Sequence, residues 1–276
     1  MRLRFTKMHG LGNDFVMIDA ISQKVTITPE RARKLADRHF GVGCDQVLVV
    51  ESPDHPDADF RYRIFNNDGS EVENCGNGAR CFAVFVRQRQ LTAKSDIVVE
   101  TAAGLLRLHV LDDNQVTVNM GVPVLSPAQI PFVTSHQQPE YPLQLDNMEI
   151  TIGAVSMGNP HAVTLVDNLA SFPVKTLGAQ IENHAQFPNR VNAGFMELIS
   201  RQEVKLRVFE RGAGETLACG TGACAAVVSG ITRGLLDATV AVHLPGGSLS
   251  ITWEGAEKPV MMTGPAKAVF HGQVKL

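Results

Sequence analysis

The six residues Asn74-Cys75-Gly76-Asn77-Gly78-Ala79 return, altered, as Ala218-Cys219-Gly220-Thr221-Gly222-Ala223. An offset of 144 residues aligns Arg63 with Arg207, Phe65 with Phe209, Glu71 with Glu215 and Cys75 with Cys219, followed by two glycines and an alanine, giving seven identities in seventeen positions. The same offset places Asn66 on Glu210, and an offset of 146 places Gly12-Asn13 on Gly158-Asn159 and Gln46 on Asn192. With only five cysteines in 276 residues, composition does not explain a cysteine at matched positions of two diverged segments. A duplicated element of this kind restricts the chain to two related halves, and its length is enough for two domains of ordinary size. Five prolines lie between Pro123 and Pro142, too many for a central strand or a helix interior, which marks that stretch as the crossing between halves.

Composition narrows the function. No apolar run approaches the length of a membrane span, and the basic start Met1-Arg2-Leu3-Arg4 is not followed by the apolar stretch of an export signal, so the expected compartment is the cytoplasm. An odd number of cysteines in such a chain argues for reduced thiols. There is no C-x-x-C, and the intervals from Cys75 to Cys81 and from Cys219 to Cys224 are not zinc spacings, so no metal is expected. A net charge of −3 with mixed signs leaves no footprint for nucleic acid. The expected partner is a small molecule.

Hydrophobic pattern supplies the elements. Strands are predicted at Arg2 to Lys7, Phe15 to Ile18, Gln46 to Val50 and Phe60 to Phe65, with Thr28-Pro29 opening a helix that runs to about His39. Ala79 to Val86 is almost wholly apolar apart from Arg80, and Ala223 to Val228 carries no charge, so each half holds a helix apolar on most of its circumference, hence buried. Each of these helices begins at a cysteine. The second half repeats the plan, with strands near Glu149 to Val155, Ala162 to Val166, Phe195 to Ile199 and Val204 to Phe209, a helix around Lys175 to His184, and a final strand at Pro259 to Thr263.

A thiol at a helix N-terminus faces unpaired N–H groups and a partial positive charge, an environment expected to lower its pKa and to bind an anion. The glycines of Cys-Gly-x-Gly let a ligand approach the backbone. Two such turns facing one carboxylate would set one sulfur on each side of an α-carbon, the geometry of stereoinversion: one thiolate removes the α-proton and the other thiol returns a proton from the far face. No cofactor is required by this scheme, and Gly10-x-Gly12, Gly41-x-Gly43 and Gly212-x-Gly214 all lack the third glycine of a dinucleotide loop.

The motifs His9-Gly10-Leu11-Gly12-Asn13-Asp14-Phe15, Asp68-Gly69-Ser70-Glu71, Asn74-Cys75-Gly76-Asn77-Gly78-Ala79-Arg80, Gly158-Asn159-Pro160-His161 and Glu210-Arg211-Gly212-Ala213-Gly214-Glu215-Thr216, with Cys219, together resemble the diaminopimelate epimerase family along essentially the whole chain. The resemblance implies a mixed α/β fold of two pseudo-symmetric halves, each a mixed sheet wrapped round a central buried helix, with the active site in the cleft between them. It implies a cofactor-independent epimerase interconverting LL- and meso-2,6-diaminopimelate, and a homodimer. Carried over position by position, it makes Cys75 and Cys219 the proton donor and acceptor, with His161 and Glu210 adjoining the thiols. Backbone N–H groups of Gly76, Asn77, Gly220 and Thr221 would hold the reacting carboxylate. Asn13, Gln46, Asn66, Asn159, Asn192, Glu210 and Arg211 would bind the rest of the substrate. Phe270 stands where some members have a tyrosine linked to dimer formation. The halves are then residues 1–120 and 121–264, with 265–276 returning to the first.

Three rival functions share some of these features: a proline-racemase-like enzyme, an isomerase of the phenazine-pathway type, which lacks the thiol pair, and a non-catalytic amino-acid-binding module. Glu210-Arg211 favours a substrate with a second charged end over proline. Both cysteines could instead be small packing residues, the usual fate of a buried cysteine, and Cys44, Cys81 and Cys224 are read that way.

Overall fold

A computed structural model describes residues 2–72 and 76–275 of the chain; Cys75 lies outside the described residues. In chain order the elements are β1 (Arg2–Gly10), β2 (Asn13–Asp19), α1 (Ala20–Gln23), α2 (Pro29–Ala36), β3 (Gln46–Glu51), β4 (Phe60–Asn66), β5 (Glu71–Val72), α3 (Gly76–Gln88), β6 (Asp96–Thr101), β7 (Gly104–Val110) and β8 (Gln115–Asn119). There follow β9 (Tyr141–Gln144), β10 (Glu149–Ser156), β11 (Pro160–Leu165), α4 (Val174–Glu182), β12 (Asn192–Ser200), β13 (Glu203–Glu210), β14 (Gly214–Thr216), α5 (Gly220–Thr232), β15 (Thr239–Leu244), β16 (Gly247–Thr252), β17 (Met261–Pro265) and β18 (Lys267–Lys275). The chain divides into two compact units, residues 1–119 with 263–276, and residues 120–262.

In the first unit the strands lie in the order β18-β1-β2-β3-β4-β6-β7-β8, with β5 added to β4. The pairs β2/β3 and β4/β6 are parallel and the others antiparallel. The sheet curls round α3, which touches β1, β2, β3, β7, β8 and β18. On β3 the run Val47-Leu48-Val49-Val50 is wholly buried because both faces are covered. Val47 and Val49 pack with Ala32 and Leu35 of α2, and the alternate face turns toward α3. Phe82 of α3 meets Tyr62 at a ring separation of 4.8 Å.

The second unit repeats this plan. Its order is β9-β10-β11-β12-β13-β15-β16, with β14 added to β13, and the pairs β11/β12 and β13/β15 are parallel where β2/β3 and β4/β6 are. Helix α5 takes the place of α3 and touches β10, β11, β12, β13 and β16; α4 packs on the other face against β12 and β13. Residues from Gly222 to Gly230 of α5 are buried without exception, as an uncharged helix surface requires.

Some elements depart from the sequence expectation. Helix α2 ends at Ala36 because the Asp37 carboxylate accepts the N–H groups of His39 and Phe40 at 2.7 and 2.8 Å, which turns the backbone out of the helix. The proline-rich stretch folds within the second unit: Ile130, Phe132 and Tyr141 enter its core, Phe132 stacks on Phe187 at 4.6 Å, and Pro142 sits in the edge strand β9, where its missing N–H breaks no ladder. Helix α4 stops at Glu182, and the last strand of the repeat begins at Met261 instead of Pro259.

Gly178 is where α4 meets β13. A methyl group there would stand 2.5 Å from Phe209 Cβ and 2.6 Å from its Cγ, atoms fixed to the strand. Gly178→Ala gains up to about 1 kcal/mol in helix propensity but overpacks at a cost of roughly 1–3 kcal/mol. The expected result is a net loss of about 1–2 kcal/mol, read as a lower urea midpoint; an unchanged or higher midpoint would contradict the contact.

Candidate active site

Several side chains singled out in the sequence gather at the start of α5. Cys219 is its N-cap residue, in extended backbone conformation, with only 4% of its surface exposed. Its S–H donates to Glu210 Oε2 at 3.2 Å, and the N–H of Gly222 points back at the sulfur. The β13–β14 hairpin brings Glu210 here: Glu210 pairs with Gly214 in register, and Thr216 Oγ1 donates to Glu210 Oε1 at 2.5 Å. Space at Gly222 is tight: a methyl group there would lie 3.0 Å from Val208 Cγ2 and 3.2 Å from the sulfur itself, so a side chain would press on the thiol.

A second set of bonds reaches the thiol from β11. His161 Nε2 is 3.0 Å from Asn159 Oδ1, Asn159 Nδ2 donates to Thr221 Oγ1 at 3.5 Å, and Thr221 Oγ1 lies 3.6 Å from the sulfur. Since the amide oxygen only accepts, the imidazole carries its proton on Nε2. Because the S–H is engaged with Glu210, Thr221 donates to the sulfur. Every donor in the series His161, Asn159, Thr221, Cys219 therefore points toward Glu210.

Burial and charge set the protonation states. Burial pushes the Cys219 thiol well above its ordinary pKa, and the Glu210 carboxylate adds to the shift; the Thr221 hydroxyl and the Gly222 N–H oppose it without prevailing. The lowered pKa expected from the helix terminus is thus overturned in this state, and Cys219 is a protonated thiol. His161, 1% exposed, is held down to about 3 by burial first and then by the charge of Arg211, so its imidazole is neutral.

Asn192 is nearly saturated: Nδ2 donates to the Pro160 carbonyl and Oδ1 accepts the Arg211 N–H, both at 2.9 Å. It holds the backbone on either side of the site. The exposed Arg211 donates from Nη1 to the Asn189 carbonyl at 3.0 Å. Glu182, a residue not singled out in the sequence, is buried beneath this turn, accepting the Gly212 N–H at 2.6 Å and pairing with Arg190.

In the first unit the matched residues form two groups. Asn13 Nδ2 donates to Asp45 Oδ2 at 2.9 Å, and Asn77 Nδ2 donates to Asn13 Oδ1 at 3.4 Å. Asp14 and Asp45 exchange backbone-to-carboxylate bonds at 2.9 and 3.0 Å, and Arg38 bridges both carboxylates. Burial works to raise the Asp14 pKa, but hydrogen bonds from Arg38 and Lys7 prevail and hold it far below the usual carboxylate range. The second group is Gln46, whose Nε2 donates to Asn66 Oδ1 at 2.9 Å, with Asn66 Nδ2 donating to Ser70 Oγ at 3.1 Å. Gln46 Oε1 is buried with no hydrogen-bond partner among the described residues. Gly76 opens α3, where Arg80, wholly buried, donates to Asn77 Oδ1 at 2.9 Å and reaches the Gly76 and Pro265 carbonyls at 3.4 and 3.3 Å. Asp45 is a supporting residue outside the motifs, and Ser70 and Thr216 lie within them without an assigned role; their partners Asn13, Asn66 and Glu210 show what they do. Among the described residues no three His, Cys, Asp or Glu side chains cluster to hold a metal, and no helix is long and apolar enough to cross a membrane.

His161 gives a pH test. Its folded pKa lies below the ordinary 6.5, so between about pH 6.5 and 3 the unfolded chain binds the extra proton and stability falls with acidification. Its contribution is fully present above 6.5 and is lost toward 3, with a slope of at most about 1.4 kcal/mol per pH unit. Urea midpoints between pH 7 and 5 are expected to fall more steeply for the unaltered protein than for His161→Gln. Equal slopes would show that a charged or exposed imidazole stands at this position.

The family model described as diaminopimelate epimerase matches residues 5–126 and 153–269. A diaminopimelate epimerase of Teredinibacter turnerae is 97% identical over 276 residues, with both chains covered in full. One from Thioalkalivibrio sulfidiphilus is 64% identical over 278 residues, again with both chains covered in full. Among solved structures, a phenazine biosynthesis protein of Bacillus anthracis matches with a TM-score of 0.71 at 19% identity, covering 100% of each chain. A hydroxyproline epimerase of Agrobacterium vitis matches with a TM-score of 0.71 at 16% identity, covering 99% of this chain and 92% of its own. These two establish a shared fold and nothing more. With a family match over both halves and full-length relatives of this similarity, the chain belongs to the diaminopimelate epimerase family.

Proposed function

We propose that this chain interconverts LL- and meso-2,6-diaminopimelate without a cofactor, using Cys75 and Cys219 as acid and base. The observation that carries this reading is the buried Cys219 thiol donating to Glu210 at the first turn of α5. In the free protein this thiol is the protonated partner, ready to deliver its proton to a carbanion once the other cysteine, as thiolate, has removed the α-proton. In the reverse direction Glu210, already in contact with the S–H, takes the proton and leaves the thiolate that acts as base.

The remaining assignments follow the same chemistry. N–H groups of Gly220 and Thr221 open a helix and have no intrahelical acceptor, so they suit the carboxylate that must accept the developing charge. Gly76 and Asn77 occupy the matching positions of α3. The planar fork of Arg211 suits the distal carboxylate. Asn13, Gln46, Asn66 and Asn159 supply amides for the remaining polar atoms, Asn192 serves the site by holding the backbone at Pro160 and Arg211, and His161 orients Asn159 and Thr221 toward the sulfur. A racemase acting on proline has no use for a cation beside the thiol turn, which favours the longer substrate. The family resemblance also supports a homodimer in the cytoplasm. Phe270 of β18, 47% exposed and packed edge-on against Phe5, offers apolar surface for such a contact.

Cys75→Ser and Cys219→Ser are each expected to lower epimerisation about 10³-fold, the scale of general acid–base catalysis, and the unaltered enzyme in D2O is expected to label the product α-carbon. Wild-type turnover by either variant would remove the two-thiol mechanism, and turnover of proline at comparable efficiency would move the substrate assignment.

A further inference from the structure

The strand that precedes each cysteine in the sequence is unusually short, three residues in β14 and two in β5. Ladder hydrogen bonds over so few residues constrain a segment weakly. In the second unit both faces of β14 are tied to β13 by side chains. Thr216, opposite Val208, bonds Glu210 on the face that carries the thiol contact. Glu215, opposite Phe209, reaches diagonally on the other face to Arg207, with Nε to Oε1 at 2.6 Å. The same guanidinium donates from Nη1 to the carbonyls of Leu169 and Phe172 at 2.9 and 3.3 Å, so one side chain joins β13, β14 and the segment leading into α4.

The first unit holds the same device in the same register. Glu71 lies opposite Phe65, and Arg63 reaches it diagonally with two bonds, Nε to Oε1 at 2.7 Å and Nη2 to Oε2 at 2.8 Å, while resting 4.8 Å over the Phe65 ring. The Thr216–Glu210 tie has no counterpart in residue type, because Val72 and Asn66 occupy those positions. Of the seven identities in the repeat, the cysteine, glycines and alanine belong to the thiol turn. The arginine, phenylalanine and glutamate do not. Both pairs are partly buried, and with the phenylalanine between them they are the identities of the repeat that fall outside the turn itself.

We propose that Arg63–Glu71 and Arg207–Glu215 are duplicated positioning pairs, each holding the strand before a thiol turn so that its sulfur stays aligned with the substrate α-carbon. This inference rests on the two-thiol reading. In Arg63–Glu71 two parallel bonds fix direction as well as distance; in Arg207–Glu215 one bond to the carboxylate and two to backbone carbonyls hold the guanidinium in place, and small misplacement of a reacting group is costly in rate.

The test compares Glu71→Ala, Glu215→Ala and Glu215→Gln with the unaltered enzyme. Each is given LL- and meso-diaminopimelate separately in D2O, and inversion and deuterium incorporation are followed independently. Each alanine variant is expected to lose about ten- to a hundredfold in kcat, with KM within about threefold and the thermal midpoint near wild type. Displacing one sulfur leaves the other able to remove an α-proton, so each variant is expected to exchange deuterium without inversion on one isomer, and the two variants on opposite isomers. Glu215→Gln keeps a hydrogen bond to Arg207 and is expected to recover most of the loss. Lys205→Met, which breaks the Lys205–Glu197 pair of 2.7 Å on the same strand, is expected to leave kcat unchanged. The proposal is overturned if the alanine variants match Lys205→Met, or if they slow both isomers equally in step with a lower thermal midpoint. Cys219→Ala run in parallel separates the two claims, because wild-type epimerisation there removes the two-thiol reading whatever the pairs do.

Discussion

A helix with no polar face has to bury its own beginning. The first N–H groups of α5 have no carbonyl four residues back, and the apolar surround from Gly222 to Gly230 denies most of that turn to water. The sulfur of Cys219 answers the Gly222 N–H. To centre a sheet on an uncharged helix is to draw the N–H donors of its first turn into the interior, where each needs an acceptor.

The same burial decides the state of the thiol. A helix terminus favours thiolate, but the effect of a partial charge fades within a turn and is opposed here by two stronger influences, removal from water and a carboxylate 3.2 Å away. Neutral His161, at the far end of the hydrogen-bond series, adds no positive charge to reverse the balance. The site thus holds a protonated thiol against the Glu210 carboxylate.

Much of this was legible in the sequence because the informative signals were local or repeated. The apolar run Val47 to Val50 and the charge-free stretch Ala223 to Val228 read directly as a doubly covered strand and a buried helix, and the two halves share the same alternation of parallel and antiparallel pairs. What escaped depends on partners brought from a distance. Arg80 looked like a break in an apolar helix surface, yet it is wholly buried, because Asn77 Oδ1, the Gly76 carbonyl and the Pro265 carbonyl, the last of them 185 residues away, receive its donors. The sign of the Cys219 shift escaped because the helix-terminus argument leaves out the burial of the sulfur, the larger cause, to which the Glu210 carboxylate adds. Helix α2 stopped a turn early because a single side chain, Asp37, offered the backbone a competing set of bonds.

Where the halves agree and where they differ follow different rules. The Arg–Glu pairs, the turn glycines and the strand order are common to both. The residues round the Cys219 thiol are not common: Glu210 is matched by Asn66, and Thr216 by Val72. An amide can orient a ligand but cannot accept a proton, whereas a carboxylate does both. The duplicated scaffold therefore carries two chemically unequal turns. At Cys219 the S–H has the Glu210 carboxylate as its acceptor; the position matched to Glu210 in the first half, Asn66, is an amide bonded to Gln46 and Ser70. On the two-thiol reading, the matched cysteines of the repeat therefore differ in the residue type supplied at one position, a carboxylate at 210 and an amide at 66.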